Sequence, residues 1–344
     1  RRLRQRIFRA EQQGFRRKVR KLQRLMVNSQ ANLLLSIKKV TQINRGKRTA
    51  GIDNLKAMTP RERLNLYNIL KDYNVKYLKV APAKRIYIPK KGGKKLRPLG
   101  IPVIKDRIYQ NVLKNALEPQ WEALFESTSY GFRPKRSTHD AIENLYNKLC
   151  KKTNSKYWVF EGDFKGCFDN IGHDHIMECI HSFPYKNVIH KWLKAGYIDN
   201  NVFCMTETGT PQGSVISPLL ANIALHGMEK AIGVEYRHVK GKGARVKAGS
   251  VTVVRFADDF VILSKTREES ESIYTKLQQY LLARGIELAE NKTRVTHVND
   301  GFDFLGFNIR KYQTKCGPKL LIKPSKEGIK KAKHKIKEIF KEFR

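Results

Sequence analysis

Two adjacent carboxylates, Asp258 and Asp259, lie between apolar, β-branched runs on either side of Ala257. That composition predicts a hairpin with both acids at its tight turn. Acidic residues at turns commonly serve local hydrogen bonding, so a chemical role needs more than the pair. Neighbouring carboxylates repel unless a cation lies between them, and hard divalent metals with oxygen ligands supply one. A third carboxylate, Asp163, ends the aromatic run Tyr157-Trp-Val-Phe-Glu-Gly and is followed by the turn-like Lys165-Gly166. A strand delivering Asp163 beside a hairpin delivering Asp258 and Asp259 would gather three carboxylates around two magnesium ions. The expected chemistry is nucleotidyl transfer, with the ions roughly 3.5 to 4 Å apart on the attacking and leaving oxygens.

The 344 residues suffice for two or three subdomains with a substantial core. Lys and Arg number 69 against 31 Asp and Glu, giving a formal net charge of +38 spread along the whole length. A polyanion partner follows, and nucleic acid is the default because phosphate neutralisation by Lys and Arg supplies most non-specific affinity. No apolar run approaches the roughly 18 residues that a spanning helix needs, so a membrane partner is not expected. The five cysteines, Cys150, Cys167, Cys179, Cys204 and Cys316, are odd in number and unclustered, which suits a reducing compartment. Cys167, His173, His175 and Cys179 do not match structural zinc spacing. The segment from Asn170 is read instead as a helix start. The chain begins at Arg1 without Met and stops inside an expected helix, Lys326 to Phe343, which reads as part of something longer.

The elements that must position the acids follow from periodicity. Phe8, Phe15, Val19, Leu22 and Met26 fall at helical spacing, and a second helix is expected from Ala31 to Ile43. Glu11 is the only acid before Asp53, so this basic surface is read as a nucleic-acid backbone contact. The stretch to about Val80 is read as helical. Arg85 to Ile88 and Leu96 to Ile101 predict two strands joined by a glycine-containing basic turn. Asp106 to Phe125 predicts one or two helices broken at Pro119, and Ser137 is the expected N-cap of a helix to Cys150. Gly209-Thr-Pro-Gln-Gly213 leads into a helix starting at Ser217-Pro218, leaving Gln212 on a rigid turn and Gly213 where backbone can approach a ligand. Glu268 to Arg284 is an expected amphipathic helix. Phe302 to Ile309 alternates like another hairpin strand, and Pro318 to Ile322 is strand-like.

With these motifs in order, the chain resembles the group II intron-encoded reverse transcriptases, or maturases, from about residue 30 onward. The resemblance rests on Arg85-Ile-Tyr-Ile-Pro-Lys90, Arg97-Pro-Leu-Gly-Ile-Pro102, Ser129-Tyr-Gly-Phe-Arg-Pro134, Asp163-Phe-Lys-Gly-Cys-Phe-Asp169, Thr210-Pro-Gln-Gly213, Phe256-Ala-Asp-Asp259 and Phe304-Leu-Gly-Phe307. Phe256 stands where many members carry Tyr.

The resemblance implies an α+β right-hand polymerase fold with fingers and palm, an antiparallel palm sheet backed by helices, and a basic helical N-terminal extension. It implies an extension over 1–52, fingers over 53–155, a palm with interleaved fingers segments over 156–323, and the start of a thumb over 324–344. By position it implies Asp163, Asp258 and Asp259 as metal ligands with the Phe164 carbonyl assisting. Lys90 and Arg97 would grip the triphosphate, Phe168 would be the steric gate, and Gln212 with Gly213 would line the nucleotide pocket. Lys292 would be the proton donor, and Phe304, Leu305, Gly306 and Phe307 the primer grip.

The implied cofactor is a pair of Mg2+ ions, replaceable by Mn2+. The implied partners are an RNA template, a DNA primer, dNTPs and a group II intron RNA bound in splicing. A bacterial cytoplasmic setting is expected, with an organelle as the alternative. Three other readings compete: an RNA-copying RNA polymerase, a reverse transcriptase of retron, diversity-generating or CRISPR-associated type, and a splicing cofactor with little polymerase activity. Phe168 speaks against the first, because its ring would exclude ribonucleotides.

Overall fold

The computed structural model describes residues 1–89, 96–151, 156–239, 243–247, 251–315 and 317–342. The chain divides into two compact units, each built from separated segments: residues 1–125 with 166–226, and residues 126–165 with 227–344.

In the first unit, helices Arg2–Gln12, Arg16–Val27 and Gln30–Lys38 pack around the long helix Ile104–Glu122. Ile7, Ala10, Val19, Leu22, Met26 and Val27 are all buried, while Arg17, Lys18, Lys21 and Arg24 face solvent. The periodic stretch expected as one helix over Phe8–Met26 is therefore two. Gly14 turns the chain at φ 72°, and Phe15 caps the second helix with its ring half exposed.

Pro119 does not break its helix, because Ala116, Leu117 and Trp121 around it are buried. That packing outweighs the proline cost of about 3 kcal/mol. The stretch read as helical to Val80 contains one α-helix, Pro60–Leu70. It opens with Thr59 and Glu62 each accepting the other's backbone N–H, at 3.3 and 2.8 Å, and the rest is loop with a short turn at Val75–Tyr77.

The basic hairpin Ala83–Pro89 and Leu96–Ile101 is present and gains two strands that periodicity alone does not predict, Tyr197–Asp199 and Val202–Cys204. Asn200 and Asn201 close that second hairpin, both at positive φ, as a two-residue turn requires.

In the second unit, an antiparallel sheet runs in the order Arg294–His297, Trp158–Gly162, Asp259–Ser264, Thr252–Phe256. Helices Arg267–Leu282 and Thr138–Leu149 back it. A second sheet holds Phe302–Phe304, Phe307–Thr314 and Gly317–Pro324. Residues 302–309 are thus a hairpin and not one strand. Leu305 and Gly306, at φ 51° and 85°, make its two-residue turn, whose geometry the alternating apolar pattern conceals. The last helix is Lys326–Glu342. Among the described residues no helix is long and apolar enough to cross a membrane.

Candidate active site

The hairpin expected around Asp258-Asp259 forms with Ala257 and Asp258 as its turn, since Phe256 pairs with Asp259. Ala257 adopts φ 59°, the left-handed region that a side chain occupies at a cost of about 1 to 2 kcal/mol. Phe260 pairs with Gly162 on the central strand, and continuing that register by one residue brings Asp259 opposite Asp163. Gly162 has to be glycine, because a Cβ there would lie 2.3 Å from the Phe260 ring. That ring stacks between Phe160 and Phe164, with centroids 6.2 and 4.9 Å away, giving an aromatic layer beneath the acids. Phe164 itself is buried and pairs with Leu288 in a short antiparallel bridge.

Lys292 arrives from Glu290–Lys292, a single tight turn anchored to the same strand end. The Asp163 carbonyl accepts the Ala289 N–H at 2.8 Å, and the Ala289 carbonyl accepts the Lys292 N–H at 2.9 Å. Lys292 Nζ then donates to the Asp163 carboxylate as an ion pair, which raises the ammonium above its ordinary pKa. Asp259 reaches solvent, yet partial desolvation and the charges of Asp258 and Asp163 push its carboxyl up to about 6, with Lys292 acting in the opposite direction. The four groups therefore feel one another as one charge cluster.

Hard oxygen donors under like-charge strain are the chemistry a divalent cation relieves, so the donor set fits such an ion. Among the described residues no group of three His, Cys, Asp or Glu side chains is gathered tightly enough to cage a metal as it stands.

Of the other residues singled out in the sequence, Arg97, Phe168, Gln212 and Gly213 belong to the first unit. Phe168 sits at the second position of the short helix Cys167–Asn170, and its carbonyl accepts the Thr210 N–H at 2.6 Å. Gln212 Nε2 donates to both carboxylate oxygens of Asp169, each at 3.2 Å. Gly213, at φ 115°, sits where a Cβ would meet the Gly100 carbonyl at 2.7 Å, and Gly100 N–H donates to the Gln212 carbonyl at 2.7 Å. Phe168, Asp169 and Gln212 line a polar cavity of about 370 Å³ together with Arg85, Tyr87 and Tyr197. Arg97 is exposed on its strand opposite Ile88. Lys90 lies outside the described residues.

In the second unit, Phe304 is buried, while Leu305 and Gly306 form the hairpin turn and Phe307 meets the His139 ring edge-on at 6.2 Å. Ser325 N–H donates to the Gly306 carbonyl at 2.9 Å, seating the turn. In the first unit, His173 Nε2 pairs with the Gly209 carbonyl at 2.7 Å, and His175 Nε2 lies 3.2 Å from the Ala224 carbonyl and 3.6 Å from Cys179 Sγ.

Three residues escape a reading of the sequence alone. Asp169 orients Gln212 and carries no signal beyond its spacing from Asp163. Gly131 presses on the acid-bearing turn, where a Cβ would sit 2.2 Å from the Ala257 nitrogen. Arg255 is buried at 1% exposure beside the apolar Val253, Val254 and Phe256 of its strand, and that mismatch is the available signal.

Comparison with known proteins adds a family. A family model described as reverse transcriptase (RNA-dependent DNA polymerase) matches residues 88–309, and one described as the N-terminal domain of reverse transcriptase matches residues 1–70. Protein YkfC of Escherichia coli is 35% identical over 327 residues, covering 86% of this chain and 85% of its own length. The group II intron-encoded protein LtrA of Lactococcus lactis is 34% identical over 284 residues, 67% of this chain, and the match spans 47% of that protein. A solved telomerase of Candida albicans, in complex with a fragment of telomeric RNA, shares the fold at TM-score 0.50 and 13% identity, over 73% of this chain and 46% of that one.

Proposed function

Because the chain belongs to the reverse transcriptase (RNA-dependent DNA polymerase) family, with group II intron-encoded proteins and maturases among its relatives, we propose that it extends a DNA primer along an RNA template and binds a group II intron RNA. The observation that carries this reading is the cluster of Asp163, Asp258 and Asp259, close enough for their charges to act on one another, with Lys292 paired to Asp163.

In this reading Asp163, Asp258 and Asp259 hold two Mg2+ ions, replaceable by Mn2+, with the Phe164 carbonyl assisting. When bound, the ions supply a lowered pKa for the primer 3′-hydroxyl and neutralisation of the triphosphate. The 3′-oxygen attacks the α-phosphorus, the bond to the bridging oxygen breaks, and pyrophosphate leaves. Lys292 Nζ gives that leaving group a proton. The like-charge strain that raises Asp259 disfavours three ionised acids without a counter-charge, so the site is built for a cationic partner.

The first unit takes the part of fingers with the basic N-terminal extension, and the second the part of palm leading into a thumb at its last helix. Arg97 and Lys90 grip the triphosphate, and Gln212 and Gly213 line the nucleotide pocket. Phe168 excludes a ribose 2′-hydroxyl. Residues 304–307 steady the primer end. The exposed cations of the Arg16–Val27 helix contact RNA backbone.

Primer extension on an RNA template, run in parallel with dNTPs and NTPs, tests the proposal. DNA products that need Mg2+ and vanish in Asp258→Asn are expected. Template-dependent products from NTPs alone would overturn it in favour of an RNA polymerase.

A further inference from the structure

The turn that carries Asp258 is held from below by an arginine which the reaction itself does not require. Arg255 is the penultimate residue of an edge strand, and its side chain is almost wholly buried. Its guanidinium donates to the Ala257 carbonyl at 3.1 Å, across the left-handed residue just before Asp258. Its backbone is tied on the sheet's outer side, with Arg255 N–H donating to the Thr128 carbonyl at 3.0 Å and Tyr130 N–H to the Arg255 carbonyl at 2.8 Å. The same loop brings Gly131 against Ala257, a close approach that a side chain would prevent.

A counter-charge is also built in. Glu229 is buried beside this loop, accepts the hydroxyls of Thr128 and Tyr236, and interacts electrostatically with Arg255. Its backbone N–H donates to Glu126 at 3.2 Å, so a second carboxylate faces the cluster. Burial and Glu126 push Glu229 up to about 7, against the pull of Thr128 and Arg255.

Burying an arginine with its carboxylate is no route to stability. Desolvation costs several kcal/mol per ion, and a well-packed apolar replacement of the pair is often neutral or stabilising. What an apolar residue could not do is donate to the Ala257 carbonyl.

We propose that Arg255 is a positioning residue for the metal-binding turn, fixing the backbone from which Asp258 and Asp259 project. This rests on the polymerase reading for its readout in turnover, but the geometry it invokes lies wholly within the second unit. Residues that orient ligands from behind typically affect metal affinity or activity by about 10- to 100-fold when replaced.

The test removes both charges together, in Arg255→Met with Glu229→Gln, with Glu229→Gln alone as the control. Mn2+ binding is titrated on primer-free protein through the electron paramagnetic resonance of the free ion. Steady-state extension then separates kcat from KM for dTTP. The expected result is a melting temperature within a few degrees of wild type, a Mn2+ affinity weaker by about tenfold and a kcat reduced by a similar factor. KM for dTTP should stay within about threefold, because the nucleotide pocket is untouched; Glu229→Gln alone leaves the Arg255 charge without its partner, so it should lower the melting temperature while Mn2+ affinity stays within about twofold.

A double variant that binds Mn2+ as tightly as wild type overturns the proposal. If the double variant does not fold, Arg255→Lys decides. It keeps the charge on a different donor geometry, so weakened Mn2+ binding at unchanged melting temperature supports positioning, and wild-type Mn2+ binding overturns it. The two readings separate as well. A wild-type chain that binds Mn2+ through Asp258 yet extends no primer fails the polymerase reading alone, and this inference is then decided by its own titration.

Discussion

At the scale of single residues, the acids of the site are in conflict with the stability of the fold that holds them. Asp259 is raised from an ordinary 3.8 to about 6, so the folded chain keeps a proton that the unfolded chain has already released. The stability this group contributes is fully present below about pH 4 and is lost as pH rises through about 6. Asp259→Asn should therefore raise the metal-free melting temperature near pH 7.5, by on the order of 1 kcal/mol of stability after allowance for its solvent contact. The gain should vanish by about pH 4.5. Calorimetry at the two pH values checks this, and equal gains at both would show that the strain is not electrostatic. Under the proposed reading, Asp258→Asn should abolish extension while leaving RNA affinity within about twofold, since Asp258 would hold metal and not phosphate.

Phe168 supplies the discriminating case. Its ring lines the first unit's cavity with Asp169 and Gln212, so Phe168→Val should open room for a 2′-hydroxyl and raise NTP incorporation relative to dNTP. An unchanged dNTP to NTP ratio of kcat/KM, with a lowered melting temperature, would reduce Phe168 to a packing residue costing about 3 to 5 kcal/mol on truncation to Ala.

At the scale of elements, Gly131→Ala makes the sharpest prediction. The new methyl would press on the Ala257 nitrogen and displace the turn that carries Asp258 without removing any carboxylate. Extension should fall by about tenfold or more with little change in RNA affinity, and near wild-type turnover would mean that the loop and turn give way freely. This contact also marks what the sequence can and cannot reveal. The acid hairpin is legible because two β-branched runs flank a charged turn, and the basic hairpin of the first unit because cations and glycine separate two strands. The hairpin at 302–309 is not, since Leu305 occupies a left-handed position that composition does not advertise. The Asn200-Asn201 turn carries a plain signal in its two turn-forming residues, and Pro119 misleads because burial outweighs its local preference. Arg255 and Gly131 make sense only once a distant loop lies beside the turn.

At the scale of the whole molecule, a net charge of +38 sets the terms of binding. RNA affinity should fall by roughly a thousandfold between 50 and 200 mM salt if at least six phosphates are neutralised. Deleting residues 1–50 would confound that measurement, because it strips apolar side chains from the helix Ile104–Glu122. Replacing Arg17, Lys21 and Arg24 by Gln keeps the packing and should flatten the salt slope by about one unit for each phosphate no longer neutralised. A slope that does not move would take the Arg16–Val27 helix off the RNA surface.

The two units are interleaved along the chain, which crosses between them near residues 125, 165 and 226. During synthesis this imposes an order of events. The strand bearing Asp163 leaves the ribosome with both its edges open, and its neighbours on the sheet are Asp259–Ser264 and Arg294–His297. At about 5 to 20 residues per second, an apolar strand must wait several seconds or more before either partner exists. Meanwhile the first unit gains every segment it needs by His226. The nascent chain thus passes through a stage in which the basic N-terminal helices are complete and the sheet bearing Asp163 is not, and that is the stage at which a chaperone would shield the waiting strand.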